Sequence, residues 1–407
     1  MKIVQIMSVL GANSVGGAER TAGIVAANLA RRGHQVDLVS LGAPGSQVQH
    51  RQVSPGLTGY QLPLVQLYDP YGLDGGQSAH PSTLGKALWH LLDVYNPWMS
   101  RQMVQLLEQL QPDLVLTHTL HGFSVSVWSA VRQVGARLVH MTHDHALICP
   151  STAMTRGARV CETVCADCSV YSHLRRWSAP VPDAVVGPSQ IILDRHKRFG
   201  WFRQVPLVQA IPNVMPSDWP QPQLPVALHQ PIVFGFLGRL DESKGLDILL
   251  SAVAHLPVDQ WRLKVAGKGD LATVKAWLGP KGETLPVEWV GVVNGSRFLQ
   301  EIDVLVTPSR AHESFCNVVM EAACLGRPSI VSASGALPER VDQGETGWIV
   351  PSGDVAALVQ ALQHCIAHPD EVREKGLKAL ATRPRYDENA QCDAFEEVFS
   401  RVMDTPT

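Results

Sequence analysis

Residues Asp303 to Arg327 admit few conformations. A short apolar run, Asp303 to Thr307, is bounded by Pro308 and Ser309, the pattern of a buried parallel strand that ends in a turn. Beyond it Val318, Val319, Ala322, Ala323 and Leu325 recur at helical spacing, and Gly326 with Pro328 supplies a stop. The stretch predicts strand, loop and helix, the repeating unit of a doubly wound α/β sheet. Such sheets gather ligands beyond the carboxyl ends of their strands, where helix N-termini offer free N–H groups to anions. Two glutamates, Glu313 and Glu321, stand eight residues apart at that mouth. With mostly helical residues between them, the second lies roughly 12 Å farther along the axis at about 1.5 Å per residue. A sugar hydroxyl at the first, a diphosphate at the helix start and a ribose at the second would span that length. Two glutamates on a helix are ordinarily a solvated face, but this helix is apolar and poor in charge.

The same unit opens the chain. Strand Ile3 to Val9 leads into the loop GANSVGGAER, an apolar-periodic helix through Leu29, and strand Gln35 to Val39. Gly11, Gly16 and Gly17 do not have the spacing of a dinucleotide fingerprint. Adjacent Gly16 and Gly17 nevertheless let backbone N–H groups approach a phosphate. At 407 residues the chain exceeds the usual single-domain size. Expected boundaries are an N-terminal Rossmann-like domain over 1–210, a second over 211–385, and a helix over 386–407 that crosses back to the first.

The N-terminus reads as a strand rather than an export signal, because no cleavage-like site follows its short apolar run. No apolar run approaches the roughly 18 residues that span a bilayer. Eight cysteines in a chain this long do not make a disulfide scaffold, so a cytoplasmic location is expected. The formal charge is -3, yet Lys and Arg exceed Asp and Glu by four over residues 1–200. That excess suits an anionic lipid or a phosphorylated carrier on the N-terminal side, with peripheral membrane contact, and chance placement is the bland alternative. No nucleic-acid partner follows from it.

From Gly42 to Tyr95 the pattern is irregular and predicts no strand. The run PDLVLTHTLHG then gives a buried strand, Leu114 to Leu116, that ends in His118, with His121 close behind. The next strand, Arg137 to Met141, ends in THDHA, which brings His143 and Asp144 to the same end of the sheet. Histidine suits such a place because its ordinary pKa lies near neutrality. Cys149, Cys161, Cys165 and Cys168 follow in one segment. Structural zinc, redox-active thiols and incidental placement all remain open there, since the spacing lacks the paired Cys-x-x-Cys of zinc ribbons.

The regular structure of the second domain starts at Ile232. Its first strand, IVFGFLG, is followed by Arg239 and, after DES, by Lys244 and Gly245. Surface charges are the common fate of such residues. After a buried strand and a glycine they instead form a diphosphate clamp, the arginine forking across two oxygens and the lysine adding a point charge. Strand Val287 to Val290 ends in Gly291 and Val292, where a nucleobase can pack.

The unit RAHESFCNVVMEAACLGR, with FGFLGRLDESKGLDILL before it and GALPERVDQGETGWIV after it, resembles the retaining GT-B glycosyltransferases of family four (glycosyl transferases group 1). The resemblance implies two Rossmann-like domains facing each other across a cleft and transfer of a hexose from a UDP- or GDP-linked sugar to a saccharide or lipid-linked acceptor, in cell-envelope or exopolysaccharide synthesis. It implies His118, Arg239, Lys244 and Glu313 as catalytic residues. The donor set is Gly16, Gly17, Arg239, Lys244, Val292, Glu313, Ser314, Phe315, Cys316, Asn317, Val318 and Glu321. His118, His121, His143 and Asp144 fall on the acceptor side. No metal and no cofactor beyond the nucleotide sugar is expected. Ser314 and Cys316 stand where the family often has glycine, so the donor hexose stays open, as do the acceptor and the oligomeric state. A nucleotide-sugar epimerase or hydrolase, or a non-catalytic nucleotide-sugar-binding subunit, could use the same framework.

Overall fold

In the computed structural model, residues 1–9, 16–74, 81–156, 159–216, 219–222, 228–278 and 284–405 are described. Gly11 lies outside them. In chain order the elements are β1 (Lys2–Ile6), α1 (Gly17–Arg31), β2 (Gln35–Gly42), β3 (Gln49–Ser54), β4 (Leu57–Pro63), α2 (Thr83–Val94), α3 (Pro97–Leu110), β5 (Leu114–Thr117), α4 (Ser126–Gln133), β6 (Arg137–Met141), β7 (Thr155–Arg156), β8 (Arg159–Val160), α5 (Ala166–Ser178), β9 (Ala184–Gly187), α6 (Gln190–Arg198) and β10 (Leu207–Ala210). They continue with β11 (Ile232–Leu237), α7 (Leu246–Val253), β12 (Trp261–Ala266), α8 (Leu271–Ala276), β13 (Val287–Gly291), α9 (Gly295–Gln300), β14 (Val304–Thr307), α10 (Asn317–Ala323), β15 (Ser329–Ser332), β16 (Gly347–Val350), α11 (Val355–Ala367), α12 (Pro369–Ala381) and α13 (Glu388–Asp404).

The chain divides into two units, one of residues 1–153, 162–213 and 388–407, the other of 154–161 and 214–387. The first is an eight-stranded sheet in the order β10-β9-β6-β5-β1-β2-β4-β3. Every pairing in it is parallel except β3 on β4. Strands β1, β5, β6 and β9 are almost wholly buried, as expected of strands covered on both faces. The edge strand β3 is exposed along its whole length and carries Gln49, His50, Arg51 and Gln52, polar residues that blunt an edge. Helix α1 buries Ala22, Val25, Ala26 and Leu29, a stripe with helical periodicity. Helix α13 sets Phe395, Val398, Phe399 and Val402 into the same core as Ile3, Leu114 and Val139. Arg32 pairs with Asp393 and Glu396 on that helix.

The second unit holds a six-stranded, all-parallel sheet in the order β13-β12-β11-β14-β15-β16. Its strand order reverses between β11 and β14, which puts a topological switch point there. In the first unit the corresponding point lies between β1 and β5.

Candidate active site

At the switch point of the second unit the loops after β11 and β14 meet. A short turn, Glu242–Lys244, is capped by the Asp241 side chain and closed by Gly245 at φ 72°. A Cβ at Gly245 would stand 1.9 Å from the Pro308 carbonyl oxygen, so only glycine lets the two loops touch. Ser243 tightens the contact. Its carbonyl accepts from the backbone N–H groups of Arg310 and Ala311 at 2.9 and 3.0 Å and lies 3.1 Å from the Ser309 hydroxyl oxygen. Arg310 forks onto Asp247 at 2.6 and 2.7 Å, a bidentate pair that fixes orientation.

This scaffold brings Lys244 Nζ to 2.7 Å from Glu313 Oε1. The Ser309 hydroxyl donates to the same oxygen at 2.7 Å. Burial alone would push the Glu313 carboxyl up, but the Lys244 charge and the two hydrogen bonds outweigh it and hold the group below its ordinary value. For Lys244, burial lowers and Glu313 raises, and the net shift is upward. The pair is therefore ionised at neutral pH. Arg239 lies close by but open to solvent, with Asp241 at 3.6 Å and the Ser243 hydroxyl at 3.5 Å.

Glu313 sits in the loop, and α10 begins only at Asn317, after Cys316 at φ 68°. The expected helical rise from Glu313 to Glu321 therefore applies to its second half alone. Glu321 is 5% exposed, and its Oε2 lies 3.9 Å from where a Cβ would stand on Gly295, the first residue of α9. The start of α9 thus lies within van der Waals range of that carboxylate. Val292, in the loop just before α9, is 73% exposed.

Phe315 turns its side chain into the core. Its side chain is buried with Met215, Met320, Cys324 and Tyr386, edge-on to Tyr386 at 6.3 Å and under the Arg340 guanidinium at 4.4 Å. Burial of so apolar a ring wins over display at the surface. Ser314, Cys316, Asn317 and Val318 are half-buried. Burial pushes the Cys316 thiol up to about 12, so it stays protonated.

In the first unit, β5 and β6 pair with Thr117 beside His140, which delivers His118 and His143 to one place. Their nitrogens Nδ1 and Nε2 are 2.8 Å apart and the rings stack at 5.1 Å. The other nitrogen of His118 lies 3.2 Å from the Gln5 side chain, and His118 is 1% exposed. Burial lowers both imidazoles, His143 to about 4, so neither is a cation at neutral pH. His121 is lowered to about 3 by burial and by the Arg175 charge. Asp144 is pushed up to about 6 by burial, and its carboxylate accepts from the Ala146 N–H at 2.8 Å. Gly16 caps α1 and Gly17 opens it. The Glu19 carboxylate folds over Gly16, reaching within 2.0 Å of where its Cβ would be, the negative charge that a helix N-terminus favours.

Cys149 Sγ and Cys168 Sγ are 3.5 Å apart. Among the described residues, no group of three or more His, Cys, Asp or Glu side chains is arranged to hold a metal ion.

Sequence spacing did not single out Ser243, Ser309, Gly295 or Gly335. Ser309 carried a signal, since it follows a buried strand and stands four residues before Glu313.

Comparison with known proteins agrees with this geometry. The profile of the family described as Glycosyltransferase Family 4 matches residues 15–215, and that described as Glycosyl transferases group 1 matches residues 231–368. An uncharacterized 42.6 kDa protein in the cps region of Klebsiella pneumoniae is 27% identical over 83% of this chain and 87% of its own length. The lipopolysaccharide core biosynthesis glycosyltransferase LpsE of Rhizobium meliloti is 27% identical over 54% of this chain and 64% of its own. The phosphatidyl-myo-inositol mannosyltransferase of Mycobacterium leprae is 32% identical over 41% of this chain and 46% of its own. Among solved structures, sucrose-phosphate synthase from Thermosynechococcus elongatus aligns over 99% of both chains with TM-score 0.77 and 20% identity. Anabaena HepE, solved with UDP and glucose, covers 98% of this chain and 99% of its own with TM-score 0.70 and 18% identity.

Proposed function

Because the chain is a glycosyltransferase of the GT-B fold, we propose that it moves a hexose from a UDP- or GDP-linked donor to a saccharide or lipid-linked acceptor with retention of anomeric configuration. We assign it to the cytoplasm and to cell-envelope or exopolysaccharide synthesis. The naming of lipopolysaccharide and phosphatidyl-inositol enzymes among its relatives supports that assignment.

The observation that carries the reading is the ionised Lys244–Glu313 pair at the switch point, with Arg239 beside it and Glu321 near the start of α9. Lys244 and Arg239 meet the departing diphosphate and stabilise its developing charge. Glu313 receives hydroxyls of the donor sugar, and Glu321 takes the ribose hydroxyls, with Val292 beside the base. Asn317 and its neighbours shape the sugar-reading loop through their backbone. The acceptor side falls to the N-terminal unit, where His118 and His143 act as a neutral, mutually bonded pair. His121 and Asp144, both under the influence of the Arg175 charge, contribute from the loops that follow the same two strands.

In this mechanism the acceptor hydroxyl attacks C1 on the face that the diphosphate leaves. The bond from C1 to the acceptor oxygen forms as the bond to phosphate oxygen breaks, and that phosphate oxygen takes the hydroxyl proton. No Asp-x-Asp occurs in the sequence, and the two cationic side chains supply the charge that such a motif would gather by holding a divalent ion. Proton NMR of the product anomer, with and without chelator, tests the reading. A retained anomer formed at an unchanged rate is expected, and an inverted product overturns it.

A further inference from the structure

We propose that the α5–α6 face of the N-terminal unit docks on an anionic lipid surface, with Trp177 set into the interface. Helix α5 buries Tyr171, Ser172 and Arg175 and turns Val170, Leu174 and Trp177 outwards, the last 82% exposed. Their spacing of four and three residues makes one ridge along the helix. Helix α2 packs beside it through the His90 and Tyr171 rings at 6.2 Å and the Asp93–Arg175 ion pair at 2.6 Å. That helix likewise leaves Leu84, Leu88 and Leu91 exposed. Two adjacent apolar ridges exceed the scattered exposure normal for a surface in water.

Charge decides the occupant. Residues 170–203 carry six Lys and Arg against two Asp and no Glu, and of the six only Arg175 is buried against a carboxylate, that of Asp93. Arg176, Arg198 and Arg203 line one open groove of about 530 Å³ together with Val170 and Leu174. Arg176 donates to the Phe199 carbonyl and Arg203 to the Lys197 carbonyl, each at 3.0 Å. Arg198 lies over the Phe199 ring at 5.7 Å. Uncharged partners leave the positive charge intact. An aliphatic and indole ridge rimmed by arginines matches the acyl boundary and headgroups of an anionic bilayer, and tryptophan favours that depth. A two-fold contact with a second copy would set these arginines against each other. Single-stranded nucleic acid would find Trp177 and the arginine-covered Phe199 ring amid aliphatic side chains, not a row of open rings for stacking.

Flotation of the full chain with phosphatidylglycerol/phosphatidylcholine vesicles, beside pure phosphatidylcholine vesicles, tests this. Binding to the anionic vesicles alone, weakened by salt, is expected. Arg198→Gln with Arg203→Gln should lower partition about 30-fold, at roughly fivefold per charge near the surface. Trp177→Ser should lower it about tenfold through lost apolar burial, with thermal melting of both variants unchanged. Equal binding to both vesicle types, no binding, or unaltered binding by both variants overturns the proposal. A dimer in light scattering that Trp177→Ser dissolves, without vesicle binding, replaces the lipid by a second copy.

Discussion

A Cβ on Gly335 would stand 2.3 Å from both the backbone nitrogen and the backbone oxygen of Glu313. The loop after β15 is thus laid flat against the glutamate loop, and the Ala336 N–H donates to the Glu313 carbonyl at 2.8 Å. Gly335 is at φ 53° and Gly344 at φ 78°, but nothing lies within 4 Å of a Cβ at Gly344. Gly344→Ala should therefore cost only backbone strain, about 1 kcal/mol. Gly335→Ala must also displace Glu313, and a misplacement near 1 Å can cost roughly a hundredfold in rate. Steady-state kinetics and melting of the two variants check this. Equal kcat/KM in both would deny that the β15 loop positions Glu313.

Glu313→Gln and Glu321→Gln should separate in kinetics. Glu313 meets the sugar as it gains positive charge, so its loss falls on kcat, by about a hundredfold. Ribose recognition acts alike in ground and transition states, so Glu321→Gln should raise the donor KM and spare kcat. Unchanged constants in both variants would remove the pair from the site.

Lys244→Ala should move the acid limb of the kcat/KM profile to higher pH. Glu313 is held low by the lysine against a burial that pushes it up, and without the lysine only the Ser309 hydrogen bond and the more distant Arg239 charge oppose burial. Turnover should fall by about 100-fold or more as well, since a donor to the leaving diphosphate is gone. An acid limb that stays in place in the variant would show that Lys244 does not set the ionisation of Glu313.

Most central strands were legible because they are short, apolar and bounded by turn residues, as Arg137 to Met141 is in full. Residues 42–95 were not. Strand β3 is an exposed edge with no buried face, so no alternation marks it, and α2 keeps only Trp89, Asp93 and Val94 buried. His118 and His143 were legible as neighbours because each ends a strand and those strands adjoin. Lys244 and Glu313 are 69 residues apart in sequence. Their ion pair depends on β11 and β14 being adjacent, a crossover that spacing does not record. The inward turn of the Phe315 side chain was not legible, because a loop of mixed residues gives no sign of which one turns into the core.

Acid should destabilise the N-terminal unit well before its exposed carboxylates titrate. His118, His121, His140, His143 and His196 are all held low by burial, His143 and His196 to about 4. In the unfolded chain each binds a proton near 6.5, so between about pH 6.5 and 4 the unfolded state binds more protons and stability falls with pH. His143 and His196 can each cost up to about 3 kcal/mol across that window. Asp93 and Asp144, pushed up to about 7 and about 6, work in the opposite direction but are fewer. Melting between pH 7.5 and 4.5 should show a steady loss, less steep in His196→Gln. A flat or rising profile would contradict it.

Helix α13 follows the whole of the second unit in chain order, yet Phe395, Val398, Phe399 and Val402 complete the core around Ile3, Leu114 and Val139. During synthesis the first unit therefore waits, with an apolar gap along its sheet, until the second has been translated. The second unit, contiguous from residue 214 to 387 apart from one short hairpin, has no such delay. The half of the protein made first is the half that can close last, and nascent chains stalled before residue 395 leave an open, aggregation-prone sheet.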